Sequence, residues 1–285
     1  MIHLMKNREE LITARLSAHY DYIKSMGYEI VGIFLQGSQN YNLDIYDDDY
    51  QSDVDTKCLV IPTLKDLIKG NKMVSKKYDF EGEQIDVKDI RVMMEMWRKQ
   101  NSSYLEILFT DYYLINPKYQ ELIDELLTQR NDLSHMNEPQ LIRCICGMAK
   151  EKVIALEHPY PSTIEKIKKY GYDPKQLASI IRLYHLSDNL FRKRIDFKQS
   201  MTYDKDSSLY NFMISVKKGN FSLEEAREMA KEYMDSITNI KESIVEQYGK
   251  ENFISETYDK LKDTIYKIVY LGIASSFDIV YNDWR

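Results

Sequence analysis

Two aspartates one residue apart, Asp53 and Asp55, open the stretch DVDTKCLVIP, and alternation about Val54 puts both carboxylates on one side of an extended segment while Val54 points to the core. Carboxylates this close repel each other. A hard divalent cation carrying water and phosphate ligands removes that repulsion. A third acid, Asp86, stands on the polar side of EQIDVKDI, opposite Ile85 and Val87. If the two segments are neighbouring strands, the three carboxylates converge and hold two magnesium ions, or manganese in their place, at the spacing used for in-line phosphoryl displacement. Gly37 and Ser38 offer the complementary half: a glycine at a strand end lets the backbone approach a phosphate, and the serine adds a hydroxyl donor. Lys57 shares a face with Asp55, placed either to meet a triphosphate or to pair with the acids. The Asp47 to Asp49 run reads as a hydrated loop, since it lacks the central glycine and closing glutamate of an EF-hand.

These groups need elements to hold them. Residues 7 to 26 carry helical apolar spacing that stops at Gly27, and EIVGIFLQGS then reads as a buried strand running into a turn. The segment from Asp53 to Pro62 is a second strand and residues 83 to 90 a third. Beyond residue 90 the apolar spacing predicts helices over 91–99, 118–128, 138–156, 174–191, 222–247 and 254–280. The polar stretch NDLSHMN divides the chain into residues 1–133 and residues 134–285. The expected fold class is α+β, a mixed-sheet core followed by an all-helical domain, with the site between the two.

Composition narrows the chemistry. Three cysteines without paired spacing give neither a disulfide framework nor a zinc site and suit a reducing cytoplasm. No apolar run reaches the ~20 residues of a membrane span. The five histidines are scattered, and neither G-x-x-x-x-G-K-[ST] nor G-x-G-x-x-G occurs. A net charge of -6 argues against broad nucleic-acid binding, so any such contact needs a local groove. Lys166, Lys168, Lys169, Lys175 and the run Arg192, Lys193, Arg194 are the candidates, against the plainer reading of solvated helix faces. Nothing in the pattern indicates an oligomeric state.

The order strand, Gly-Ser turn, D-x-D strand and third Asp resembles the polymerase-β-like nucleotidyltransferase superfamily. The segments GSQNYNL, SDVDTK, DVKDI, NSSYLEILF and YGYDPKQLASIIRLYH resemble its RNA-repair-associated (RlaP-like) branch and span roughly residues 30 to 190. The connector after Ser38 is longer and more acidic than usual, and Asn42 stands where a glycine is common. The resemblance implies transfer of a nucleoside monophosphate from a nucleoside triphosphate to an acceptor hydroxyl, with an RNA 3′ end as acceptor. Asp53, Asp55 and Asp86 then hold the metals, and Gly37 and Ser38 anchor the β- and γ-phosphates. Lys175 and Arg182, on a face beside the core stripe Leu177, Ile180, Ile181 and Tyr184, line the cleft. Asn101 and Glu106 match the branch's N-x-x-x-x-E pattern and are expected to cap or position. The alternatives are a protein or small-molecule acceptor, and a non-catalytic nucleotide- or RNA-binding module.

Overall fold

The computed structural model describes residues 8–46 and 51–282, so the Asp47 to Asp49 run lies outside the described residues. The chain is α+β. Helix α1 (Arg8–Ser25) leads into β1 (Ile30–Leu35), and β2 (Thr56–Val60) follows the Gly37 turn and the acidic segment. Both strands are buried on each face, β1 as its continuous apolar run IVGIFL requires of a central strand, β2 with Thr56 and Lys57 buried ahead of Cys58, Leu59 and Val60. Next come α2 (Leu64–Lys69), β3 (Ser75–Phe80), β4 (Glu83–Asp89), α3 (Ile90–Arg98), α4 (Ser102–Leu105) and β5 (Tyr113–Ile115). The remainder is helical: α5 (Gln120–Thr128), α6 (Arg130–Ser134), α7 (Glu138–Ala155), α8 (Ile164–Tyr170), α9 (Pro174–Ser187), α10 (Phe197–Met201), α11 (Ser208–Lys217), α12 (Leu223–Tyr248) and α13 (Ser255–Asn282). No helix among the described residues is long and apolar enough to cross a membrane.

The sheet runs β3-β4-β2-β1-β5 and is mixed, with β2 and β4 parallel and the other pairs antiparallel. Two of its strands escape the sequence pattern. β3, SKKYDF, is a Lys-rich edge with little apolar alternation, and β5 is three residues long. Conversely, NDLSHMN, expected as a turn-prone divider, contributes to α6, which ends at Ser134.

Side-chain alternation gives the sheet two different faces. Val54, Cys58, Val60, Ile85 and Val87 pack with Ile12, Leu16 and Ile23 of α1. α1 is pinned there by buried His19, which meets Thr56 Oγ1 at 3.0 Å and Glu83 Oε2 at 3.2 Å. On the opposite face Phe34, Leu59 and Ile61 join a second cluster that continues through Trp97, Leu141, Ile181, Ile240 and Ile265. The polar residues of that second face, including Asp55, Lys57 and Asp86, are therefore directed toward the helical body.

Candidate active site

Leaving β1, the chain is stitched to the acidic segment by its main chain and two glutamines. Gln36 N donates to Asp55 O at 3.0 Å and Gln36 Nε2 to Thr56 O at 3.2 Å, while Gln39 Nε2 donates to Asp53 O. Between the glutamines Gly37 takes φ 90° and ψ -152°, a region that essentially only glycine enters. A Cβ there would meet nothing within 4 Å, so backbone conformation and not space demands the glycine. Ser38–Tyr41 then form a 3-10 turn. Asn42 closes it at φ 60°, in the left-handed region that favours Gly and that Asn tolerates best among the other residues. Asn42 Nδ2 donates to Tyr203 O at 3.1 Å and Tyr203 N to Tyr41 O at 3.0 Å, tying the turn to the helical body.

Asp53 and Asp55 precede β2 rather than lying within it, because the ladder begins only at Thr56. The alternation nevertheless holds, with Val54 fully buried, Asp53 exposed and Asp55 half-buried. Asp55 Oδ1 accepts the Gln84 N–H at 3.0 Å. Burial pushes the Asp55 carboxyl above its ordinary value, against the pull of the Gln84 amide and the Lys175 ammonium, and the Asp53 and Glu83 charges add to the rise.

β2 and β4 lie side by side as the sequence suggests, with Lys57 opposite Asp86. Asp86 does not present a free carboxylate. Its Oδ2 meets Lys57 Nζ at 2.8 Å and its Oδ1 meets Lys88 Nζ at 2.9 Å, both lysines being buried. Burial would raise the Asp86 carboxyl, but the two ammonium groups outweigh it and hold it below its ordinary value. Lys57, whose pKa is itself lowered by burial against the pull of Asp86, lies 4.2 Å from the centroid of the Tyr104 ring.

Among the described residues no group of three or more His, Cys, Asp or Glu is arranged to hold a metal ion. The Asp53 and Asp55 pair, partly exposed and mutually repelling, suits one hard cation that takes its remaining ligands from water and phosphate. Asp86 does not fit as a ligand in this arrangement, because each oxygen already holds an ammonium.

Glu106 gathers what the linear pattern left apart. Asn101 caps α4 through its side chain, accepting Ser103 N at 3.1 Å, which delivers Glu106 buried behind the turn. Burial raises its carboxyl, opposed by Arg182, by the Tyr41 hydroxyl that donates to Oε2, by Lys57 and by the Gly37 N–H. Arg182, expected in the cleft, stacks 4.1 Å from the centroid of the Tyr41 ring. Lys175 acts on Asp55 and also on Lys217, whose pKa burial lowers to about 8 and whose Nζ donates to Leu43 O. Lys217 and Lys88 were not singled out from the sequence; Lys217 closes α11, and no local pattern ties it to the turn.

The other candidate cations are largely committed. Arg192 and Lys193 pair with Asp188 at 3.5 and 2.9 Å, and Arg194 with Glu138 at 2.9 Å. Lys168 pairs with Glu165 at 2.8 Å, Lys166 lies 3.9 Å from Asp173, and Lys169 covers the Tyr170 ring. A cavity of about 220 Å³ between Tyr28, Ile61, Leu64 and Gly272 of α13 holds none of the site residues.

Fold and site together define a mixed-sheet α+β chain in which a Gly-Ser turn lies against an acidic pair, and the Lys175 charge from the helical body acts on that pair. No family model and no curated protein matches the chain. Among solved structures it is similar to a nucleotidyltransferase-like protein from Exiguobacterium sibiricum 255-15, at 11% identity over 86% of this chain and 77% of that one, with a TM-score of 0.27.

Proposed function

We propose that this chain transfers a nucleoside monophosphate from a nucleoside triphosphate to an acceptor hydroxyl, with an RNA 3′ end as the acceptor implied by the resemblance to the RNA-repair-associated branch. The observation that carries the reading is the Gly37–Ser38 turn, held by Gln36 and Gln39 against the main chain of Asp53 and Asp55, with the Lys175 charge acting on the Asp55 carboxylate. Anion-binding and cation-binding groups thereby meet at one place, as a metal-bound triphosphate requires.

In the reaction the acceptor oxygen forms a bond to the α-phosphorus, the bond to the bridging oxygen breaks, pyrophosphate leaves with that electron pair, and the hydroxyl proton passes to solvent. Asp53 and Asp55 would hold magnesium, which when bound supplies Lewis-acid neutralisation of charge on the phosphates. Ser38 donates its hydroxyl to a phosphate oxygen. Lys175 and Lys217 balance the negative charge of the leaving pyrophosphate. Glu106 keeps the turn in place, because it takes the Gly37 N–H and the Tyr41 hydroxyl. Asp86 serves by keeping Lys57 and Lys88 charged and fixed beside the site.

The experiment is incubation of purified protein with magnesium and each labelled triphosphate, with and without RNA bearing a free 3′ hydroxyl. Label should move to the acceptor with the parent and fall to background with Asp53→Asn and with Asp55→Asn. Full transfer by both variants removes the site. Labelling of a protein or small molecule, with RNA untouched, overturns the acceptor and leaves the chemistry.

A further inference from the structure

With the Arg192 to Arg194 run spent on ion pairs, the unpaired positive charge lies elsewhere. α2, β3 and the loop between them carry Lys65, Lys69, Lys72, Lys76 and Lys77, all exposed, and none forms a salt bridge among the described residues. Of the two acids in that stretch, Asp66 is occupied by Thr63 N at 3.2 Å, Thr63 Oγ1 at 2.5 Å and Asn71 Nδ2 at 2.8 Å, and Asp79 accepts the Gly82 N–H at 3.3 Å. Two apolar side chains stand out among the lysines, Ile68 at 75% and Met73 at 45% exposure. In a chain of net charge -6 this is a local reversal of sign.

Protection of an edge strand explains part of it, since lysines on β3 discourage pairing with another chain. That accounts for Lys76 and Lys77. It does not account for Lys65 and Lys69 on a helix, or for Lys72 in a loop. The strip also has a direction. Lys77 lies opposite Asp86 in the β3–β4 register, hence on the sheet face that carries Lys57 and, one residue pair away, Asp55, whereas Lys76, opposite Val87, lies on the other face of the edge.

We propose that this lysine strip binds the phosphate backbone of a single-stranded nucleic acid and leads its end to the Asp53 and Asp55 site; the proposal rests on the reading that the acceptor is a nucleic-acid hydroxyl. Lysines on flexible stems contact phosphates as point charges and read no sequence. Ile68 and Met73 give the bases an apolar surface between those contacts. An anionic membrane or an acidic protein would use the same charges, but continuity with the acidic site favours a strand that ends there.

The test is fluorescence anisotropy of a labelled single-stranded RNA, titrated at increasing salt, with the parent and with a variant carrying Lys→Gln at all five positions. Glutamine keeps the edge polar, and circular dichroism checks the fold. The variant should bind RNA at least tenfold more weakly at low salt, with a log-log salt slope shallower by about 3, given roughly 0.7 per phosphate contact on a single strand. Its affinity for ATP should be unchanged. Equal RNA affinity and slope in the two proteins overturn the strip, as does a parent that binds vesicles containing phosphatidylserine but no RNA. If RNA binding falls as expected while neither protein modifies any RNA end, the strip stands and the transfer reading falls. If RNA is modified equally well by both, the strip falls and that reading stands.

Discussion

Asp86 separates two ways in which a carboxylate can matter at such a site. A residue kept only to hold metal is a liability without it, and its replacement by asparagine relieves repulsion. One that pairs two buried ammonium groups is the reverse, because removing its charge leaves Lys57 and Lys88 side by side without a counterion. Breaking a buried pair from one side costs about 3 kcal/mol or more. Asp86→Asn is therefore expected to lower the melting temperature by many degrees in EDTA, while Asp53→Asn melts at or above the parent. An Asp86→Asn protein as stable as the parent in EDTA would return Asp86 to the metal-ligand set. Glu106 belongs to the same scale, since one carboxylate takes the Gly37 amide, the Tyr41 hydroxyl and the charge of Arg182.

Among the elements, α9 and α11 bring cations to a turn far away in sequence. α9 starts where Pro174 occupies its first turn and Asp173 accepts the Lys175 N–H at 3.0 Å, which fixes where Lys175 leaves the helix. α11 ends at Lys217, which turns back onto Leu43 O. Burial and the nearby Lys175 charge bring Lys217 down to about 8, so its positive charge is mostly present at pH 7 and largely lost by pH 9. If Lys217 faces the triphosphate, affinity declines as pH rises through that value. A charged hydrogen bond of about 1.5 kcal/mol corresponds to roughly a tenfold change. Isothermal titration of ATP at both pH values should show that decline in the parent and a flat profile in Lys217→Met. The same decline in both proteins would assign it to another group.

At the scale of the whole molecule, one hydrophobic cluster passes residues 133 and 134 without interruption. Phe34, Leu59, Trp97 and Phe109 share it with Ile181, Phe197, Ile240 and Ile265, and α13 returns to pack on α3 and α5. Residues 1–133 alone would expose that sheet face to water, at about 25 cal/mol for each Å² of apolar surface. We expect this fragment to lack a cooperative thermal transition, and the full chain to melt in one step. A sharp melt of residues 1–133, followed by calorimetry, would show an independently folding unit.

Local physics made much of this chain legible in advance. The order of the long elements follows from apolar spacing, since a buried strand and an amphipathic helix have different periods, and Gly37 followed by D-x-D after a strand marks a turn and an acidic pair that folding brings together. β3 and β5 escaped because an edge strand needs little apolar alternation and a three-residue strand has no period to read. Partner choice is what only the tertiary structure decided. Asp53, Asp55 and Asp86 look equivalent as letters, yet the two before β2 remain partly open while Asp86, in register with Lys57, is taken by two lysines. Likewise the densest basic run in the chain is neutralised by Asp188 and Glu138, and the lysines of α2 and β3 form no salt bridge among the described residues. A carboxylate or an ammonium acquires its role from the charge that folding places within a few ångströms, and sequence spacing constrains that charge only when both members sit on one helix or one strand.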